Sequence, residues 1–222
     1  MLFGEPTNNQ IFTGHKGLMD YEITFIGKKS HASTPGKGIS ANMNAVKFLY
    51  ELEDYYIKKI KVDCDNNYEV PYTTFNVGII DGGSAKNSVA ASCKVTLDFR
   101  VIKNSHIKKI DKKINSLINK YSATKKVIDI IEPFVDIIDF LGEVKTTNFM
   151  TEASKVTGSK RLILGLGPVT AHEVNEHISI DSYEMLVEQY KKLIYKICYD
   201  ENMKYKWFPL SYSKPFNKQK VY

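Results

Sequence analysis

The chain has 222 residues, 43% hydrophobic and 25% charged, with 13 glycines and 7 prolines, enough for one large domain or two small ones and unlike collagen, low-complexity disorder or a disulfide scaffold. Cys64, Cys93 and Cys198 are far apart with no Cys-x-x-Cys spacing, which reads as reduced thiols and predicts a cytoplasmic home; no signal-peptide pattern or membrane-length apolar run is present, so no membrane partner is expected. The net charge of +6 rests on 31 basic residues, all lysine except Arg100 and Arg161. Base and phosphate readers favour the guanidinium fork, so nucleic acid is not the expected partner, and the two arginines mark places where the fork matters.

From Leu18 to Lys28, Tyr21, Ile23 and Phe25 alternate with their neighbours, a period near two that predicts a strand. Asn42 to Lys61 carries Ala45, Val46, Leu49, Leu52, Tyr56 and Ile60 at helical spacing. Strands at Thr73–Ile80 and Val89–Val101 follow, joined through Asp81-Gly82-Gly83-Ser84. Ile107, Ile110, Ile114, Leu117, Ile118 and Tyr121 form a second helix stripe, and Val127–Ile131 a short strand. The order βαββαβ predicts a ferredoxin-like two-layer α+β sandwich. Beyond Pro133 the pattern predicts a short helix at Asn148–Thr157, a strand at Arg161–Gly165 and a helix at Ser182–Tyr199 with Leu186, Tyr190, Leu193, Ile194 and Ile197 inward. Residues 203–222 mix aromatics, lysines and two prolines without a period and read as a tail.

Among the groups that carry chemistry, no two histidines share one helix at ligand spacing. His172 nevertheless lies on a loop beyond an apolar strand, where α/β sheets place ligand-binding groups, and Glu5 is fixed between Gly4 and Pro6.

Four segments, in order, resemble the acetylornithine deacetylase and succinyl-diaminopimelate desuccinylase branch of the zinc aminoacylase and carboxypeptidase proteins, metallopeptidase family 20. They are Gly4-Glu5-Pro6-Thr7 with Gly14-His15-Lys16-Gly17; Gly27 to Pro35, containing Ser30-His31-Ala32; Val70-Pro71-Tyr72 through Gly82-Gly83-Ser84-Ala85-Lys86-Asn87 to Leu97-Asp98-Phe99-Arg100; and Thr151-Glu152-Ala153 with Gly165-Leu166-Gly167-Pro168 and Ala171-His172-Glu173. The resemblance implies a homodimer-forming lid at 18–132 inserted in a catalytic domain, of which 1–17 and 133–202 are parts. It implies two Zn²⁺ ions, with Co²⁺ as an alternative, of which Glu5 and His172 would each hold one. It implies a small acylated amino acid as substrate, N-acetylornithine in arginine biosynthesis, with the desuccinylase substrate as the alternative.

By the same resemblance His31 serves the oxyanion of the partner subunit's site, Asn87 and Arg100 hold the substrate carboxylate, and Gly167 lies on the substrate loop. Charge complementarity alone adds Glu152 as a receiver for the ornithine ammonium. The family's His-x-Asp motif, bridging Asp and adjacent Glu pair are not found in these 222 residues. The expectation is therefore that this chain is inactive alone and works with a separate N-terminal catalytic half, or else serves only as a dimerising fragment. An RNA-binding sandwich is the remaining alternative, and Val95 to Arg100 lacks the aromatics for it.

Overall fold

The computed structural model describes residues 1–141, 145–170 and 173–199. In chain order these form β1 (Leu2–Phe3), β2 (Gly14–His15), β3 (Gly17–Ile26), α1 (Ala41–Tyr55), β4 (Thr74–Gly82), β5 (Ser92–Val101), α2 (Asn104–Tyr121), β6 (Ala123–Ile131), β7 (Phe134–Val135), β8 (Thr146–Thr147), β9 (Leu162–Ile163) and α3 (Ile180–Tyr199). The tail predicted at 203–222 lies outside the described residues.

Strands β3 to β6 make one antiparallel sheet in the order β4-β5-β3-β6, and with α1 and α2 they complete the ferredoxin-like sandwich. Alternation builds its core. Met19, Tyr21, Ile23 and Phe25 on β3, and Cys93, Val95, Leu97, Phe99 and Val101 on β5, point to the helix side and are buried. Ala41, Ala45, Phe48 and Leu52 of α1 and Ile110, Ile114 and Leu117 of α2 meet them. Ser40 caps α1, its hydroxyl accepting from the Met43 amide at 3.2 Å. A single π turn, Tyr56–Ile60, continues α1 and keeps Tyr56 and Ile60 inside.

Val46, expected on the inward stripe, is exposed, and Phe48 takes the buried place, because 41, 45, 48 and 52 follow the 3.6-residue period. The last strand begins earlier than its apolar run, since Ala123 to Lys126 already pair with β3, their backbone bonds needing no apolar side chains.

The other body, the base, is made of short strands: β1 pairs with β9 in parallel, and β2 lies between β7 and β8. Of the helix predicted at Asn148–Thr157 only a 3₁₀ turn at Glu152–Lys155 forms, and the predicted strand at Arg161–Gly165 shrinks to β9. Along α3, Leu186, Tyr190 and Leu193 pack with Ile138, Leu162 and Leu164, whereas Ile194 and Ile197 are exposed rather than inward. Arg161 forks Asp136 through Nε and Nη2 at 2.8 and 2.9 Å, and its guanidinium carbon lies 3.5 Å from the Phe134 ring centroid. One of the two arginines is thus a structural clamp.

The chain crosses between sandwich and base at Lys16–Gly17 and again at Ile131–Pro133. These crossings touch: Leu18 pairs with Ile131, and a Cβ on Gly17 would lie 2.3 Å from the Ile131 carbonyl oxygen.

Candidate active site

The loop after β3 folds back on the loop after β4. Val89 N–H donates to the Ser30 carbonyl and Ala32 N–H to the Asn87 carbonyl, both at 2.9 Å, and His31 bridges Ser88. His31 and Asn87 are therefore neighbours on one exposed rim of the sandwich. The Ser33 amide donates to His31 Nδ1 at 3.2 Å, with the Ser33 hydroxyl 2.7 Å from the same nitrogen. An Nδ1 that accepts a backbone N–H leaves the ring proton on Nε2, so the assigned tautomer presents an N–H donor to solvent.

Arg100 lies at the opposite end of the sheet. It pairs with Leu18 and Thr74 near the crossings, whereas the His31 rim lies beyond Ile26 and Ser92. Eight strand steps separate Arg100 from Ser92, roughly 27 Å at 3.3–3.4 Å per residue. Asn87 and Arg100 of one chain therefore do not close on one carboxylate, contrary to the simplest reading of the motifs.

Arg100 is already engaged. Nε and Nη2 donate to Asp98 Oδ1 and Oδ2 at 2.9 and 2.8 Å. Asp98 is in register with Asp20, which pairs on its far side with Asp129, so three aspartates cross the open face of the sheet in a row. Desolvation, then the Asp98 charge, raises the Asp20 pKa, and Arg100 opposes that rise. Asp98 stands in the motif without a role, although its place two residues before Arg100 on one strand face signals the contact.

In the base, the loop that carries Glu5 is held by the residues that follow it. The Thr7 hydroxyl accepts from the Gly165 amide at 2.9 Å, Asn8 N–H donates to the Leu166 carbonyl and Asn9 N–H to the Gly165 carbonyl. A Cβ on Gly165 would sit 2.0 Å from the Glu5 carbonyl oxygen, so only glycine permits this approach. The Ser182 hydroxyl accepts from the Gly167 amide at 2.8 Å, and the Asn9 amide donates to the Ser182 carbonyl at 2.9 Å. Glu5 and Gly167 are thereby brought onto stitched loops, by partners in Asn9 and Ser182 that no local motif announces.

His172 lies outside the described residues. Among the described residues no three His, Cys, Asp or Glu side chains gather as a metal site, and Glu5 alone is one donor where zinc takes about four. Glu152, a candidate receiver for an ammonium, is exposed and pairs with Lys155 at 3.1 Å. Two buried histidines received no role from the sequence, although His15 stands in the first motif segment. His15 is edge-on to Phe134 at 4.5 Å, and His106 bonds Thr73 and Asp63.

The sequence profile of the peptidase dimerisation domain of the M20 peptidases matches residues 13–126. Acetylornithine deacetylase of Myxococcus xanthus is 27% identical over 200 residues, 81% of this chain and 53% of that protein. The acetylornithine deacetylase of Buchnera aphidicola subsp. Acyrthosiphon pisum is 27% identical over 221 residues, 90% of this chain and 57% of that protein. A tripeptidase of Staphylococcus aureus superposes with a TM-score of 0.64 at 24% identity, covering 83% of this chain and 52% of that one. An aminopeptidase of Bacillus cereus gives 0.63 at 18%, covering 84% and 52%. The chain spans little more than half the length of these relatives.

Proposed function

The chain belongs to the M20 peptidase dimerisation-domain family, and from that premise we propose that it supplies the lid and the C-terminal side of the catalytic domain of an amidohydrolase acting on N-acetylornithine. The observation that carries the reading is the opposed placement of His31 and Asn87 at one end of the lid and Arg100 at the other. A single chain cannot use these groups on one small substrate; two copies joined through their lids can, each presenting its rim to the other's Arg100 end.

In that assembly the His31 Nε2–H is a donor aimed at the oxyanion that develops when an amide carbonyl is attacked. Arg100 keeps Nη1 free of Asp98 and has N–H groups left for a substrate carboxylate. Asp98 positions that fork. The two zinc ions implied by the motifs would polarise the carbonyl and acidify water, with Glu5 and His172 as one ligand each. The described residues do not form a metal site; beside those two ligands, this chain's own part is to orient substrate and stabilise charge.

The exposed apolar side chains of α3, Ile180, Tyr183, Val187 and Ile194, favour packing of the base against the portion of the relatives' length that is not spanned here. The assay is direct. The purified chain with added zinc is expected to give no acetylornithine hydrolysis, and co-expression with the N-terminal half of a relative is expected to restore it. Turnover by the chain alone, or no activity from a stable complex, would reject the reading. The compartment we infer is the cytoplasm, from the cysteine pattern; among the described residues no helix is long and apolar enough to cross a membrane.

A further inference from the structure

The two crossings between lid and base run side by side, and a pair of adjacent strands resists separation better than it resists rotation about its own line. A body fixed at a given angle needs a third attachment off that line. The segment between the π turn and β4, residues 61–73, has the geometry of one.

At its lid end the segment is anchored by a closed chain of bonds. The Tyr56 hydroxyl donates to the Thr73 carbonyl at 2.9 Å. Thr73 Oγ1 accepts from the Ile102 amide at 3.2 Å and lies 2.7 Å from His106 Nδ1. His106 Nε2 reaches Asp63 at 3.1 Å, and Lys103 Nζ binds both Asp63 and the Cys64 carbonyl. The segment is also closed on itself, with Asp65 N–H on the Pro71 carbonyl at 2.7 Å and Tyr68 N–H on the Asp65 carbonyl at 3.2 Å.

At its other end it grips the base and the first crossing. Tyr68, 3% exposed, forms a parallel bridge with Thr146. The Thr146 hydroxyl donates to the Asn67 carbonyl at 2.7 Å, and Asn148 Nδ2 to Glu69 at 3.1 Å. Lys16 Nζ, from the crossing itself, donates to the Tyr72 carbonyl at 2.9 Å.

We propose that residues 61–73 are a strap that sets the angle of the lid on the base, through the attachment of Asn67, Tyr68 and Glu69 to Thr146 and Asn148. The inference rests on the fold and not on the proposed chemistry. The sandwich keeps its own core without the strap, since the buried residues of β3, β5, α1 and α2 meet one another directly.

The test reads the angle. Spin labels are placed on the full chain through Asn119→Cys on the lid and Ser159→Cys on the base, both exposed, with Cys64→Ser and Cys198→Ser and an excess of unlabelled chain to suppress distances between copies. Specific protease sites are inserted between Asn66 and Asn67 and between Val70 and Pro71, so that both limbs of the strap are cut after the protein has folded and the two large fragments stay joined only by their packing. The uncut protein is expected to give one narrow distance peak, and cleavage is expected to abolish it in favour of a broad distribution while the helical signal is retained. Thr146→Val combined with Glu69→Ala is expected to broaden it without a cut. A peak unchanged in position and width after complete cleavage would overturn the proposal. So would dissociation of the two large fragments, because the segment would then belong to the sandwich's stability and not to its angle.

Discussion

His106 shows how one side chain couples pH to the fold. It is fully buried and bonded at both ring nitrogens, and burial, its largest cause, lowers its pKa from the ordinary 6.5. His15 is lowered too, again chiefly by burial. In the unfolded chain both take a proton near pH 6.5 and in the folded chain they do so only at lower pH, so the unfolded state binds more protons below that value. Stability is therefore full above about pH 6.5 and declines as the pH falls from there. Asp63, held below 3.8 by Lys103 and then by His106, adds a loss in the same direction under more acid conditions. Urea midpoints measured between pH 7.5 and 5 are expected to fall, and His106→Gln to flatten that slope by about one proton. A slope identical in parent and variant would remove His106 from the account. At Gly165, alanine is expected to cost about 1–3 kcal/mol in chemical denaturation, because the Glu5 backbone has no free end to move aside. The motif reading found Gly165 and His31, which lie in short local signatures. It did not assign Asp98 as the holder of Arg100, although the two are neighbours on one strand face, and it could not find Ser182 as the holder of Gly167, because that contact joins residues 15 apart across a loop.

Among the elements, the two edge strands of the lid differ. On β6, Lys125 and Lys126 and a bulge opposite Asp20 and Tyr21 discourage a further strand. On β4, Ile79 and Ile80 stand exposed, and Ile80 lines a shallow cavity with Val46 of α1, an apolar margin suited to a second copy. Ile80→Lys is expected to shift sedimentation from dimer to monomer without unfolding the lid, and an unaltered dimer would move the interface elsewhere. Phe48→Ala, in the centre of α1 and edge-on to Phe25 at 5.2 Å, is expected to cost about 3–5 kcal/mol in the lid's unfolding free energy. These elements were legible because each buries one face and is long enough to repeat its pattern, so period two and period 3.6 are written into the residues. The exposed Val46 was misread because stripes at 45 and 46 differ by one position, and only packing decides between them.

At the scale of the whole molecule, the base was poorly legible. Its strands are two residues long and pair across wide separations, β1 with β9 at Leu2–Leu162 and β2 with β8 at Gly14–Thr146, and two residues carry no period. What identified it was chemical punctuation, the Gly-Glu-Pro and Gly-Leu-Gly-Pro runs, rather than hydrophobic rhythm. The same contrast appears in the free surface: the lid closes its own core, while α3 leaves a row of apolar side chains outward.

The contact between Leu18 and Ile131 has a practical consequence. A domain whose entry and exit are hydrogen-bonded neighbours is a cassette: its ends can be cut free without stretching the chain between them. Residues 17–131 expressed by themselves are expected to melt cooperatively and to keep the ferredoxin-like circular-dichroism signature, and joining their ends by a short glycine linker while reopening the chain at the exposed Gly36 is expected to preserve both. In evolutionary terms such a cassette can be transplanted into another host sheet as one piece, carrying its exposed β4 edge with it.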